Sequence, residues 1–535
     1  MGRPTVLGQA KPEIALLSRA GSHIVLVYMS NSHQLSRNLI IFGVVLPLAA
    51  IVGYSLATYR QFSSEVVVGL VLAVLFIPVL LRWHHPLLIL TWNGAINAFF
   101  IPGRPNVWMV IGGISFGITM LNCILNKEQK FQHVPAMTWS LLFLMVVVGL
   151  TAKISGGIGL RSLGGSQYGG RGYAYIIGGV IGYFALSSAR ISRERAQLFA
   201  VLFFLSALTY MVSNLAYMAG PSFWFLFYAF PIEFAMSQAV SDFMGESMTR
   251  LAGLGFASLA ICNVLLVRYG VRGLFDPRRV WRPLVFVLAA ALSCLGGFRS
   301  TLVIIVLLFM IQFCMEGLYR TRLVLVVLLA AVIGFALLIP LSSQMPLSVQ
   351  RVLTVVPFLD VDSAAKANAE ASLQWRLDMW RILLPDIERY FWIGKGFSIN
   401  PTDLYLVEES IRRGFAHGYE GAVAAGDYHS GPLSLIIPFG VFGVIAFLCV
   451  LVAGGRVLYR NWKFGEADLR NINVFLFSMY LMKIIFYFVG AGAFYSDLPM
   501  FLGLIGFSIA VNGGVRVPAP EPQKSLEPVL QPAMA

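Results

Sequence analysis

Apolar residues run through this chain in long blocks separated by short polar turns, with one long exception. A membrane span needs roughly 20 apolar residues. By that measure the blocks centre near residues 49, 73, 93, 115, 143, 181, 208, 260, 290, 310, 332, 443, 481 and 505. They amount to about fourteen spans (12–14), those near 93 and 505 being short. Backbone groups in lipid find no water to bond, so each block is expected as a helix. The expected fold is therefore all-α, a polytopic membrane helical bundle.

The exception lies between the blocks ending near Leu341 and beginning near Gly431, a polar stretch of about ninety residues. The expected organisation follows from it. Residues 1–38 form a cytoplasmic N-terminal segment, and 39–341 a membrane domain of about eleven spans. Residues 342–430 form a large loop, 431–513 the last three spans, and 514–535 a disordered Pro-rich tail. The N-terminal segment lacks a compact signal-peptide pattern, so no cleavage is expected.

Loop charge orients the spans. With the N-terminus inside, the inside segments include residues 190–195, 268–282, 319–322 and 456–470, and about 23 Lys or Arg lie inside against about 7 in the short outside loops. The large loop then falls outside, on the periplasmic side of a bacterial inner membrane, and both termini are cytoplasmic. The net charge of +14 accordingly follows topology and does not point to nucleic acid. Only 12% of residues are charged and 58% are hydrophobic, which excludes an ordinary soluble domain. The five cysteines sit in or beside apolar blocks, so neither a disulfide framework nor a Cys metal site is implied.

Within the large loop, residues 372–390 read as an amphipathic helix with Leu373, Leu377, Trp380 and Leu384 on one face. A second helix is expected over 402–413, capped by Thr402 or Asp403. Residues 153–171 are Gly-rich and carry Arg161 and Arg171, and glycine permits close backbone approach to a ligand. The half-apolar segment 220–250 suits a helix lying in the membrane interface.

Several residues suggest chemistry. Arg299 lies in the turn Gly296-Gly297-Phe298-Arg299-Ser300-Thr301, where Ser300 or Thr301 can cap the next helix. An arginine at a helix N-terminus makes an anion site. Arg376 offers a planar fork suited to phosphate, or else a salt bridge to Asp378 or Asp386. Arg412 and Arg413 read as a solvated face. His429 precedes Gly431-Pro432 at the start of a span, where the helix N-terminus favours a neutral imidazole suited to a general base. Lys483 is a charge inside a span, with Asp497 in reach. Asp360 and Asp362 have a weak metal-binding spacing, and no metal site is expected. No protease, serine esterase or Walker pattern is present.

Taken in order, the Gly-Phe-Arg-Ser-Thr turn, a span, a loop with Arg376 and Trp380, then Gly394-Lys395-Gly396, then Asp427-Tyr428-His429-Ser430 before a span with Gly440 and Gly443 resemble the O-antigen ligase and O-antigen polymerase superfamily. The resemblance covers residues 296–453. Ser430 stands where that family usually has Asn, and Phe298 where Ser often precedes the Arg. The resemblance implies metal-independent, cofactor-free glycosyl transfer from an undecaprenyl-diphosphate-linked glycan donor to a glycan or lipid A core acceptor. It makes Arg299 and Arg376 diphosphate ligands and His429 the residue near the acceptor hydroxyl. Arg161, Arg171, Trp380, Gly394, Gly396 and Lys483 are the further substrate-binding candidates, with Trp375, Trp380 and Trp392 available to stack on sugars. Implied partners include membrane lipids and polysaccharide export or chain-length proteins. Competing readings are a lipid-linked oligosaccharide flippase or other secondary transporter, and a scaffold subunit of an export complex.

Overall fold

A computed structural model describes residues 62–126, 131–156, 158–159, 169–244, 248–414 and 418–518, with single positions at 47, 49, 50 and 53. Two compact units divide the chain after Val79. The first contributes the beginning of helix α1 (Phe62–Thr91), which from Leu80 onward belongs to the second.

Among its described residues the second unit consists of helices joined by turns and loops, with one isolated bridge and no strand. In chain order it contains α2 (Val107–Leu125), α3 (Pro135–Ile154), α4 (Gly170–Ser187), α5 (Arg193–Met218), α6 (Glu233–Met244), α7 (Ala252–Leu274), α8 (Trp281–Cys294), α9 (Arg299–Met315) and α10 (Leu323–Leu341). The large loop then supplies α11 (Leu347–Leu353), α12 (Ser363–Arg389), α13 (Pro401–Arg412) and α14 (Gly418–Ala424). Helices α15 (Leu433–Phe464), α16 (Arg470–Val489) and α17 (Phe494–Asn512) close the chain. Among the described residues, eight helices are long and apolar enough to cross a membrane, and α8 and α9 are shorter apolar helices. The chain is a multi-pass membrane protein.

Twelve of the expected centres fall on helices, that near 181 on α4. The centre near 49 lies largely outside the described residues. The expected span near residue 93 is not a helix. Asn93 and Gly94 end α1, and the following chain folds back through the Asn97–Asn106 bridge. Polar and ring-constrained residues (Asn93, Asn97, Pro102, Pro105) interrupt the apolar block and favour turns over helix. Asn106 then caps α2 by accepting from the Trp108 N–H at 3.4 Å.

Close helix contacts explain the glycines of α4 and α17. Gly179 lies against Pro499, Gly182 against the Trp92 ring, and Gly506 against Leu186. Small residues let helices approach where lipid supplies no hydrophobic drive. A side-chain network locks the C-terminal helix at one end of the bundle. Asn473 and Asn512 exchange amide bonds of 3.0 and 2.8 Å, and Asn461 donates to Ser508 at 3.0 Å. At the same end Glu466 accepts from Arg193 and Arg516, each at 2.7 Å. The arginine-rich segments 190–195 and 456–470 therefore meet there. The large loop meets the turn before α9 at the opposite end, through Arg299 and the carbonyl of Ala369.

Helix α15 is broken at Pro438 and Gly440, where Gly440 has φ 62°. The loop fills the break with backbone. Lys395 and Gly396 N–H groups donate to the Ile437 and Pro438 carbonyls, both at 2.9 Å, and Val441 N–H donates to Phe391 O at 2.7 Å. Non-helical backbone at membrane depth requires such partners. A Cβ on Gly394 would overlap the Pro438 carbonyl, and one on Gly396 would overlap Ser155 Oγ.

Gly394→Ala is expected to lower stability by roughly 2–4 kcal/mol, because neither backbone can yield. Gly149→Ala, where nothing lies within 4 Å, should change stability by no more than about 0.5 kcal/mol. Thermal unfolding of the two variants in detergent checks the difference.

Candidate functional site

Helix α12 carries the site on its buried face. Asp362 caps it, accepting from Ala364 N–H at 2.7 Å, so this aspartate of the Asp360-Val361-Asp362 spacing serves the backbone. The helix starts nine residues earlier than the apolar pattern indicates, and the face turned inward lies about a quarter-turn from the expected leucine face, with half-buried Trp380 at their border. Ala365, Ala369, Met379 and Leu383 are buried, while Leu373, Leu377 and Leu384 are exposed. Small residues at 365 and 369 bring the α12 backbone within reach of arginines from the membrane helices. Helix α13 is capped by Asn400, which accepts from Thr402 N–H at 2.9 Å, and not by Thr402 or Asp403.

Four guanidiniums converge on the first half of α12. Asn368 Oδ1 accepts from Arg250 Nη2 at 2.7 Å and from Arg351 Nε at 2.8 Å. Arg299 Nη2 donates to the Ala369 carbonyl at 3.0 Å, and Arg351 Nη1 donates to the Gly297 carbonyl. Arg376 stands two turns further along α12, on the side that faces Arg299. Burial first, and then the charge of Arg299, lowers the Arg376 pKa. Arg351, on α11, is buried, and burial followed by the charges of Arg250, Arg299 and Arg376 brings it down to about 10. Among the described residues no carboxylate forms a salt bridge with Arg299, Arg351 or Arg376, and Asp378 instead pairs with Arg381 at 3.1 Å. Like charges held together without a counter-ion make a receptor for a multivalent anion. Arg299 is the first residue of α9, whose N-cap Phe298 offers no side-chain bond. Ser300 and Thr301 thus lie inside the first turn and do not cap it, and the helix N-terminus adds its dipole to the cluster.

His429 sits beside the second half of the same surface. Its ring centroid is 5.3 Å from that of Trp375, the neighbour of Arg376. Trp380 Nε1 donates to the Tyr428 carbonyl at 2.9 Å, so Trp380 holds the His429 segment in place. Tyr428 is buried with Met379, Leu383, Leu433 and Ile437 in a small core joining α12 to α15. His429 has φ 45°, a left-handed conformation uncommon for a side-chain-bearing residue and recurrent at functional sites. Its Nε2 lies 3.7 Å from Asp427 Oδ2.

His429 and Asp427 line a cavity of about 530 Å³ that runs down between the membrane helices. Lys483 and Asp497 lie in its wall as an ion pair at 3.8 Å, and its depth is apolar, with Phe203, Phe204 and Met479. Tyr175 separates this cavity from a second one of about 700 Å³, lined by Arg171, Arg104, Asn97, Tyr228 and Glu233. The Arg171 guanidinium lies over Tyr175, 5.7 Å from the ring centroid.

The sequence-derived residues thus divide. Arg299, Arg376 and His429 meet along α12. Arg171 and Lys483 line the two neighbouring cavities. Trp380, Gly394 and Gly396 hold the loop in position, and Gly169 and Gly172 of the Gly-rich segment make room for Phe397. Arg161 lies outside the described residues. Arg412 and Arg413 pair with Glu409 at 2.7 and 2.6 Å. Sequence reasoning passed over Arg250, Arg351, Asn368 and Asp427. A buried arginine on a seven-residue helix has no sequence signature, although Asp427, two residues before His429, was open to notice.

Residues 284–448 match the protein family described as O-antigen ligase. That region takes in the arginine turn, α12 and His429, and is similar to the superfamily named from its motifs. No curated protein matches the chain significantly.

Inorganic pyrophosphate at a hundredfold excess over its Kd is expected to stabilise the protein by about 2.7 kcal/mol. Arg351→Gln and Arg376→Gln should each remove most of that gain, and sodium chloride of matched ionic strength should not reproduce it. Thermal unfolding with and without the anion is the measurement.

Proposed function

We propose that this protein transfers or polymerises glycan from an undecaprenyl-diphosphate-linked donor at the periplasmic face of a bacterial inner membrane. The observation that carries the reading is one helix, α12, that gathers four arginines and sets His429 beside them. The membrane side rests on loop charge: the large loop lies at the end opposite the Glu466 ion pairs and the arginine-rich turns.

In the reaction the acceptor hydroxyl attacks the anomeric carbon, and the bond from that carbon to the diphosphate oxygen breaks. The negative charge gained by the departing diphosphate falls among Arg299, Arg351 and Arg376, with Arg250 behind them. Preorganised donors aimed at developing charge lower the barrier without a metal. The hydroxyl proton passes to His429. With Nε2 turned toward Asp427, Nδ1 is the nitrogen left to accept it, and Asp427 steadies the imidazolium that forms. Undecaprenyl diphosphate leaves with its tail in the membrane. The outer surfaces of α9 and α10 suit that tail, since α10 has no buried residue and its chain leads directly to Arg351.

The cavity lined by Arg171 and Tyr228 supports binding of the acceptor glycan, because tyrosine faces and polar side chains suit sugars. Polymerisation is favoured over ligation by the Gly-rich segment that borders this cavity, with Gly159, Gly169 and Gly170 in its wall, which supports a long acceptor groove. Export and chain-length proteins are the partners such a polymerase would meet. The Lys483–Asp497 pair within the spans is the strongest point for a carrier, since transporters place charges within the bilayer.

Purified protein in vesicles with a lipid-linked glycan separates these readings. New glycosidic bonds are expected, whereas translocation without them would support the carrier. His429→Ala and Arg376→Ala should each lower transfer by about 100-fold or more at unchanged protein level. Arg376→Lys should fail as well, for want of a bidentate fork. Normal transfer by a variant would remove that residue from the mechanism.

A further inference from the structure

The end of the bundle opposite α12 holds a third cavity, of about 600 Å³, that the proposed reaction does not use. Its walls come from the start of α3, the last third of α15 and the chain after α17. Gln132, His133, Arg456, Arg460, Gly513 and Gly514 are among its lining residues. Arg456 and Arg460 are four apart and share one face of α15. Among the described residues no carboxylate pairs with either. The nearby acid, Glu466, is taken by Arg193 and Arg516. A Cβ on Gly513 would lie 2.8 Å from Arg190 Nε, so a third guanidinium flanks the opening.

Two further features point to an anion. Helix α3 begins in this cavity with Pro135 at its first position and no side-chain cap, leaving its N-terminal dipole uncompensated. Gln132 keeps its buried Oε1 without a hydrogen-bond partner among the described residues. Oxygen and nitrogen of an amide exchange by a simple flip, and the flipped amide presents N–H.

The surface below the cavity is apolar. Ala136 lines the cavity, and Trp139 and Phe143, three and seven residues on, continue that face of α3 exposed. Val452 and Ile445 do the same below Arg456 on α15. A headgroup-level tryptophan beside arginines is the arrangement found at membrane interfaces.

We infer that this cavity is a binding site for an anionic phospholipid. The phosphate sits between Arg456, Arg460 and the α3 N-terminus, with the acyl chains along α3 and α15. Basic pockets between membrane helices on the cytoplasmic side take such headgroups. The site is independent of the glycan chemistry at the other end.

Native mass spectrometry of the full chain, equilibrated with equal phosphatidylglycerol and phosphatidylcholine, tests the assignment. Retention of phosphatidylglycerol with roughly tenfold preference is expected. The preference should vanish in the double variant Arg456→Gln, Arg460→Gln and persist in Arg376→Gln. Phosphatidylglycerol should also raise the melting temperature of the Arg376→Gln chain, in which the anion receptor at α12 is disabled, by a few degrees, and inorganic phosphate should not. No preference in the unaltered chain, full preference in the double variant, or equal stabilisation by free phosphate would each overturn the lipid assignment. Either single variant serves if the double variant does not fold.

Discussion

Repulsion among guanidiniums is the constraint around which the loop is built. Arg250, Arg299, Arg351 and Arg376 come from four separate segments, and gathering them costs both desolvation and Coulomb energy. Neutral acceptors hold three of them: Asn368 takes Arg250 and Arg351 on one oxygen, the Ala369 carbonyl takes Arg299, and the Gly297 carbonyl takes Arg351 a second time. A carboxylate in place of Asn368 would relieve the repulsion and compete with an incoming anion. An amide fixes the forks and leaves the positive charge for the substrate.

That arrangement demands a rigid brace, and α12 provides it from two attachments. Its first half is tied to the arginines. Its second half packs with Tyr428, Leu433 and Ile437, and Trp380 holds the Tyr428 carbonyl. The chain leaving α12 then plugs the break in α15 with the backbone of residues 391–396. Loop and membrane helix thus complete each other's hydrogen bonding. The strained φ of His429 is sustained between these two anchors, which set the imidazole at the mouth of a cavity open toward the helices.

Both ends of the bundle hold cations in two settings, with and without a carboxylate. At the far end from the loop, Glu466 neutralises Arg193 and Arg516, and asparagines lock α15, α16 and α17. At the loop end Arg299, Arg351 and Arg376 have no carboxylate partner in a salt bridge among the described residues, as Arg456 and Arg460 have none at the far end. A structural ion pair and a receptor for anions are therefore distinguishable by their partners, though the residue types are the same.

Hydrophobic block length by itself determined the all-helical membrane architecture, because a bilayer leaves backbone no other option. The order of motifs also pointed to Arg299, Arg376 and His429 together, since the chain has only seven histidines and most of its arginines lie away from the large loop. Tertiary structure alone decided which face of α12 turns inward. The leucine stripe marks the exposed side, and the working side is alanine, asparagine and arginine, which periodicity reads as solvent. It also decided that Gly394 and Gly396 fill a helix break and that Arg250 and Arg351 join the cluster. Those outcomes rest on contacts between residues from tens to more than a hundred positions apart, and no local pattern encodes such distances.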